Sequence, residues 1–181
     1  AVLTRPVRRR IGIGRGRFGM MAAMSETADD AWREPTNRAV DELAEYARAL
    51  VGGSARVERR SVGNGLPTLD IGPVNPRSRS VAIIGEQWLI VQIGEQGGRW
   101  ELDYEESDIA LAKSLIAAAH DGRVIERVAF ARSRVTVTLE SGEEVSETGY
   151  DGCSGLLPLP WWSRWGRTIV YEAYAAGPLQ G

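Results

Sequence analysis

The stretch from Ser80 to Tyr104, SVAIIGEQWLIVQIGEQGGRWELDY, limits the possible folds more than any other part of the chain. Ile-Gly-Glu-Gln occurs twice in it, at 84–87 and 93–96, each time closing a run of β-branched and apolar residues. That repetition predicts two turns of similar chemistry between three antiparallel strands. In the third strand Trp100, Leu102 and Tyr104 alternate with Glu101 and Asp103, so one face is apolar and the other wet. An apolar sheet face has to be covered.

Two amphipathic helices supply the cover. The first opens at Pro35-Thr36, with Thr36 as the cap; Val40, Leu43, Ala47 and Leu50 follow on one face, and Gly52-Gly53 ends it. The second, EESDIALAKSLIAAAHDG, carries a stripe of Ile109, Ala112, Ile116 and Ala119 with Leu115 beside it. Glu105, Glu106 and Asp108 sit at its positive end, and Gly122 suits the left-handed position that terminates it.

Strands flank these helices. SARVERRSV after the first helix reads as one, whereas the glycines and prolines of residues 63–80 predict a loop, in which Arg77 and Arg79 are solvated or hold an anion. Residues 123–148 give three more. Val135, Val137 and Leu139 alternate with Thr136 and Thr138, and a three-residue Glu140-Ser141-Gly142 loop with Gly142 at positive φ sets Val137 opposite Val145. A last strand runs through RTIVYEAY, Ile169, Tyr171 and Ala173 facing one way and Thr168, Val170 and Glu172 the other. The expected fold class is α+β, one domain over residues 35–176, with an antiparallel sheet of about six to eight strands packed with two helices. Residues 1–34 are expected to be a disordered basic and polar extension, and 177–181 a C-terminal tail.

Charge is unevenly distributed. Of the 22 basic side chains in the 181 residues, six are arginines in residues 1–23, which hold no acid, so the rest of the chain sets 16 basic against 24 acidic groups. Arg15 and Arg17 interrupt what a secretory signal needs as an apolar stretch, and Gly14, Gly16 and Gly19 lack the strand and helix that make such spacing a phosphate cradle. The arm reads instead as sequence upstream of a start at Met20, Met21 or Met24. A nucleic-acid role is expected only through this arm, because the body lacks a clustered basic footprint. No stretch is long and apolar enough to span a membrane as a helix, and the lone Cys153 favours a reducing compartment, so cytoplasmic residence is expected.

No familiar catalytic or cofactor motif is present, and no cofactor or metal is expected. His120 is the only histidine and falls where a helix C-terminus favours a partly positive ring. An enzymatic alternative, a small hydrolase or transferase, draws on Cys153 with His120 or on the carboxylates Asp103, Glu105, Glu106 and Asp108. Trp161, Trp162 and Trp165, flanked by Arg164 and Arg167, read either as interface anchors or as a lid closing one end of the sheet. Burying one such ring contributes about 2 to 3 kcal/mol, which favours the lid with at least one ring partly exposed.

GRVIERVAFARSRVTVTLESGEEVSETGY followed by LPLPWWSRWGR resembles small α+β proteins of high-GC actinobacteria, some grouped with the immunity proteins of polymorphic toxin systems. The resemblance covers roughly residues 85–175 and carries no catalytic residues over. It implies a compact non-enzymatic protein that binds a protein partner, with neutralisation of a toxin as its role. An acidic body suits a basic partner by electrostatic steering. The expected partner contacts are Trp161, Trp162, Arg164 and Trp165 together with a patch of carboxylates, Asp103, Glu105, Glu106, Glu143, Glu144 and Glu147.

Overall fold

The computed structural model describes residues 33–63, 65–95, 97–150 and 165–175. Its elements run α1 (Arg33–Val51), β1 (Ala55–Val62), β2 (Leu66–Pro73), β3 (Val81–Gly85), β4 (Leu89–Ile93), β5 (Arg99–Leu102), α2 (Glu106–His120), β6 (Val124–Ala129), β7 (Arg132–Thr138), β8 (Glu144–Tyr150) and β9 (Arg167–Val170). The class is the expected α+β. Among the described residues the strands number nine and divide into two antiparallel sheets, ordered β1-β2-β3-β4-β5 and β8-β7-β6-β9. The division falls where α2 interrupts the run of hairpins. Its 15 residues carry the chain away from β5, and β6 pairs with β7 and β9 instead.

The first sheet is a meander whose inner face is read off its register. Arg59, Leu69, Ile83, Val91 and Trp100 stand side by side across all five strands. The adjacent row is Val57, Ile71, Val81 and Ile93. All but the two β1 residues of these rows are buried. The expected alternation of β5 holds, with Trp100 and Leu102 buried and Glu101 exposed. α1 packs across β1, β2 and β3, and α2 packs against α1, β5 and β7. Val40, Leu43, Ala47, Leu115, Ile116, Val124, Val135 and Val137 thus join one continuous hydrophobic core that spans both sheets.

Two sequence-based boundaries need correction. α1 begins at Arg33, inside the expected 1–34 extension, so Thr36 lies within the helix and does not cap it. Its side chain is fully buried against Gly85, where any Cβ would collide with the threonine methyl. The 63–80 passage contains β2, a strand with Pro67, Thr68, Leu69 and Ile71 buried. Its breakers sit where they do no harm: Gly63 and Gly65 take positive φ in the turn to β2, Pro67 lies beyond the end of the β2–β3 ladder, and Pro73 is the last residue of the strand. The expected bulged hairpin is present as predicted, with Gly142 at φ 82° and Val137 opposite Val145.

Gly122 and Gly142 share a left-handed backbone but differ in their surroundings. A Cβ on Gly142 meets open space, whereas one on Gly122 would lie 2.5 Å from the Ala173 nitrogen and 2.8 Å from the Glu172 carbonyl carbon. Gly142→Ala is therefore expected to lose about 1 kcal/mol, the backbone strain alone. Gly122→Ala should lose at least about 2 kcal/mol more, because backbone has to shift as well. Urea unfolding midpoints of the two variants check this; equal losses would mean that the segment after β9 yields freely.

Candidate interaction surface

Most of the large hydrophobic side chains exposed among the described residues belong to the second sheet. Five of the eight, Ile125, Phe130, Tyr150, Trp165 and Val170, lie on it or next to its strands. Three of them are aromatic and lie toward one end of the sheet, spread from the edge strand β8 to the entry of the other edge strand, β9. Phe130 and Ala131 form the two-residue turn between paired Ala129 and Arg132, Tyr150 stands opposite Arg132 where β8 ends, and β9 enters opposite Val128 two residues after Trp165. Phe130 is 73% exposed, Trp165 69% and Tyr150 46%. The Arg132 guanidinium lies 5.9 Å from the centroid of the Tyr150 ring. Ala131 is the one non-glycine residue at positive φ among the described residues, at 53°, a conformation that costs about 1 to 2 kcal/mol.

The other face of the same strands is dry and holds a charge. Ile169, Glu126, Val135 and Glu147 form one row across the sheet, and Glu126 is fully buried. Its carboxylate accepts hydrogen bonds from the Glu95 backbone N–H at 2.7 Å and from the Tyr171 hydroxyl at 2.6 Å. Burial raises the pKa of Tyr171 far above its ordinary value, and the hydrogen bond to Glu126 and the charge of that carboxylate add to the shift. Arg79 partly opposes it and donates through Nη2 to Gly94 O at 2.7 Å. Of the two loop arginines, Arg79 is thus held within the fold, whereas Arg77 stays largely solvated while pairing with Glu172 at 3.1 Å.

His120 closes α2. Its Nδ1 lies 2.8 Å from Asp121 Oδ1, its ring meets Tyr174 edge-on at 5.7 Å, and its carbonyl accepts from the Tyr174 N–H. Burial works against ionisation of Asp121, but hydrogen bonds from Arg123 and His120 outweigh it and hold its pKa below the usual carboxylate value. The imidazole is thus tied to both neighbours.

The carboxylates singled out in the sequence do not form one patch. Asp103, Glu105 and Glu106 are exposed at the start of α2, where Asp108 accepts from the Asp103 N–H at 2.7 Å. Glu143 and Glu144 are exposed on the β7–β8 hairpin, which hydrogen bonds to Arg123 just beyond the other end of α2. A 15-residue helix separates the groups by roughly 20 Å. Glu147 is half-buried on the inner face of the sheet. No group of three or more histidine, cysteine and acidic side chains among the described residues is placed to hold a metal. Trp161, Trp162, Arg164 and Cys153 lie outside the described residues, and of the three clustered tryptophans only Trp165 is placed, exposed.

Sequence reasoning missed Phe130, Tyr150 and Glu126. The one available signal was Glu126 itself, an acid in phase with Val124 and Val128 on a strand that otherwise alternates. No family model, no curated protein and no solved structure matches this chain.

Because its folded-state pKa is lowered, Asp121 contributes stability that is fully present above the unfolded-state value near 3.9 and lost as pH falls through the folded-state value. With the side chain 48% exposed, solvent screening keeps the contribution below about 1 kcal/mol. Asp121→Asn should accordingly be slightly less stable than the parent at pH 7 and indistinguishable from it at the acid end. A stability gap that stays constant from pH 7 to about pH 2.5 would show that the ion pair contributes nothing.

Proposed function

We propose that this is a non-enzymatic protein-binding protein and that its partner docks on the aromatic end of the second sheet. The observation that carries this reading is the placement of exposed Phe130, Tyr150 and Trp165 at one end of the sheet, with Arg167 exposed at the same end and the buried Arg132 guanidinium 5.9 Å from the Tyr150 ring. Aromatic residues and arginine are the types that dominate binding energy at protein interfaces, and rigid strand ends present them at low entropic cost. The specific form, implied by the sequence resemblance, is a cytoplasmic immunity protein that neutralises a basic toxin. In that form the separated carboxylates, Asp103, Glu105, Glu106, Glu143 and Glu144, steer a basic partner through the field of the acidic body without forming one contact patch.

The test is co-purification from the native host with a tagged chain and a Phe130→Ser/Trp165→Ser double variant. Both positions are exposed, so the variant should fold as the parent does by circular dichroism. A protein retained in stoichiometric amount by the parent should be held at least tenfold less tightly by the variant, the loss expected for hot-spot side chains. Equal retention by both would move the interface elsewhere, and retention of nothing by the parent would remove the reading.

The pairing of His120 with Asp121 favours one alternative, a hydrolase or transferase in which that imidazole activates Cys153. It requires alkylation of Cys153 to slow markedly in His120→Asn; an unchanged rate rejects it.

A further inference from the structure

The β7–β8 hairpin, at the end of the second sheet opposite the aromatic rings, encloses with α1 and α2 an open cleft of about 480 Å3. Leu50, Ala117 and Leu139 give it an aliphatic lining, and Tyr46, Asp121, Arg123 and Glu140 supply its polar groups. Arg123 is already engaged, with Nη1 donating to Thr138 O at 2.7 Å and Nη2 to Asp121 Oδ2 at 2.9 Å. Its charge therefore compensates Asp121. Glu140 has no such compensation: it makes no ion pair among the described residues, and Glu143 and Glu144 add further negative charge on the same hairpin. Burial raises the pKa of the Tyr46 hydroxyl; Lys113 opposes that, and Asp121 and Glu140 both add to it.

We propose that this cleft binds a cation carried on an aliphatic stem, that is, an alkyl guanidinium or alkyl ammonium group. The stem lies against Leu50, Ala117 and Leu139, and the head group meets Glu140 and the outer edge of Asp121, while the Tyr46 ring already carries the Lys113 ammonium 5.7 Å from its centroid. An anion is disfavoured by the same uncompensated charge. A purely apolar ligand leaves the carboxylates desolvated without a partner. The site is independent of the aromatic end of the sheet, so it stands or falls separately from the partner surface proposed there.

The experiment is NMR titration of the intact chain with n-butylguanidinium, with its uncharged isostere n-butylurea, and with a capped Gly-Arg-Gly tripeptide. Butylguanidinium should shift the amides of Asp121, Leu139 and Glu140, saturate in roughly the millimolar range expected of so small a ligand, and weaken with added salt. Glu140→Gln, an exposed loop substitution, should weaken it roughly threefold to fivefold. Binding of the tripeptide as well identifies a protein arginine as the natural source, and binding of the free cation alone identifies a small amine or guanidine; both support the site. Equal binding of butylurea, unchanged affinity in Glu140→Gln, or shifts spread evenly over the surface carboxylates would each overturn it.

Discussion

A carboxylate with no access to water holds the two sheets in register. An unpaired ionised group in a protein interior costs several kcal/mol, so Glu126 is tolerable only where donors are already aimed at it. Those donors come from different parts of the fold: the Glu95 N–H from the β4–β5 turn of the first sheet, and the Tyr171 hydroxyl from the segment after β9. The turn reaches Glu126 because it is built of glycines. A Cβ on Gly94 would lie 2.5 Å from a Val135 methyl, and one on Gly98 would lie 2.8 Å from Val135 Cβ. Side chains there would push the sheets apart and leave the carboxylate bare.

From that contact the exposed surface follows. β6 is an inner strand of the second sheet, so fixing Glu126 inward fixes its neighbours Ile125 and Arg127 outward. The β6–β7 turn, the end of β8 and the entry to β9 are then held at one end of a sheet that cannot slide. Phe130, Tyr150 and Trp165 are thereby presented at the same end of the sheet, although 20 and 15 positions separate them along the chain. A binding surface assembled this way loses little entropy when a partner arrives. The cleft beside the β7–β8 hairpin depends on the same rigidity from the opposite end, where Arg123 ties the hairpin to the turn after α2.

Much of this fold was legible in the sequence, for local reasons. The meander strands, the stripe of α2 and the bulged β7–β8 hairpin each follow from patterns within about a dozen residues, where periodicity and turn chemistry decide the outcome. β2 was hidden because Gly63, Gly65, Pro67, Gly72 and Pro73 look like breakers when their positions relative to a ladder are unknown. The helical role of Thr36 depended on Gly85, nearly fifty residues away, leaving room for it. The split into two sheets was illegible for a related reason: which strand β6 joins is set by the path of α2 and by β9, both distant in sequence. Surface chemistry was least legible of all. Trp165 announced itself by composition, whereas Phe130 and Tyr150 look like ordinary strand residues until pairing brings them together.

The account rests on the two sheets unfolding as a unit around Glu126, and native-state hydrogen exchange of one amide tests that most directly. The Glu95 N–H belongs to an exposed turn residue yet donates to the buried carboxylate. If Glu126 is the staple, this proton exchanges only through global unfolding, with the same opening free energy as the core amides of Leu69 and Val91. Exchange at a much lower free energy, as from a freely opening turn, would contradict it.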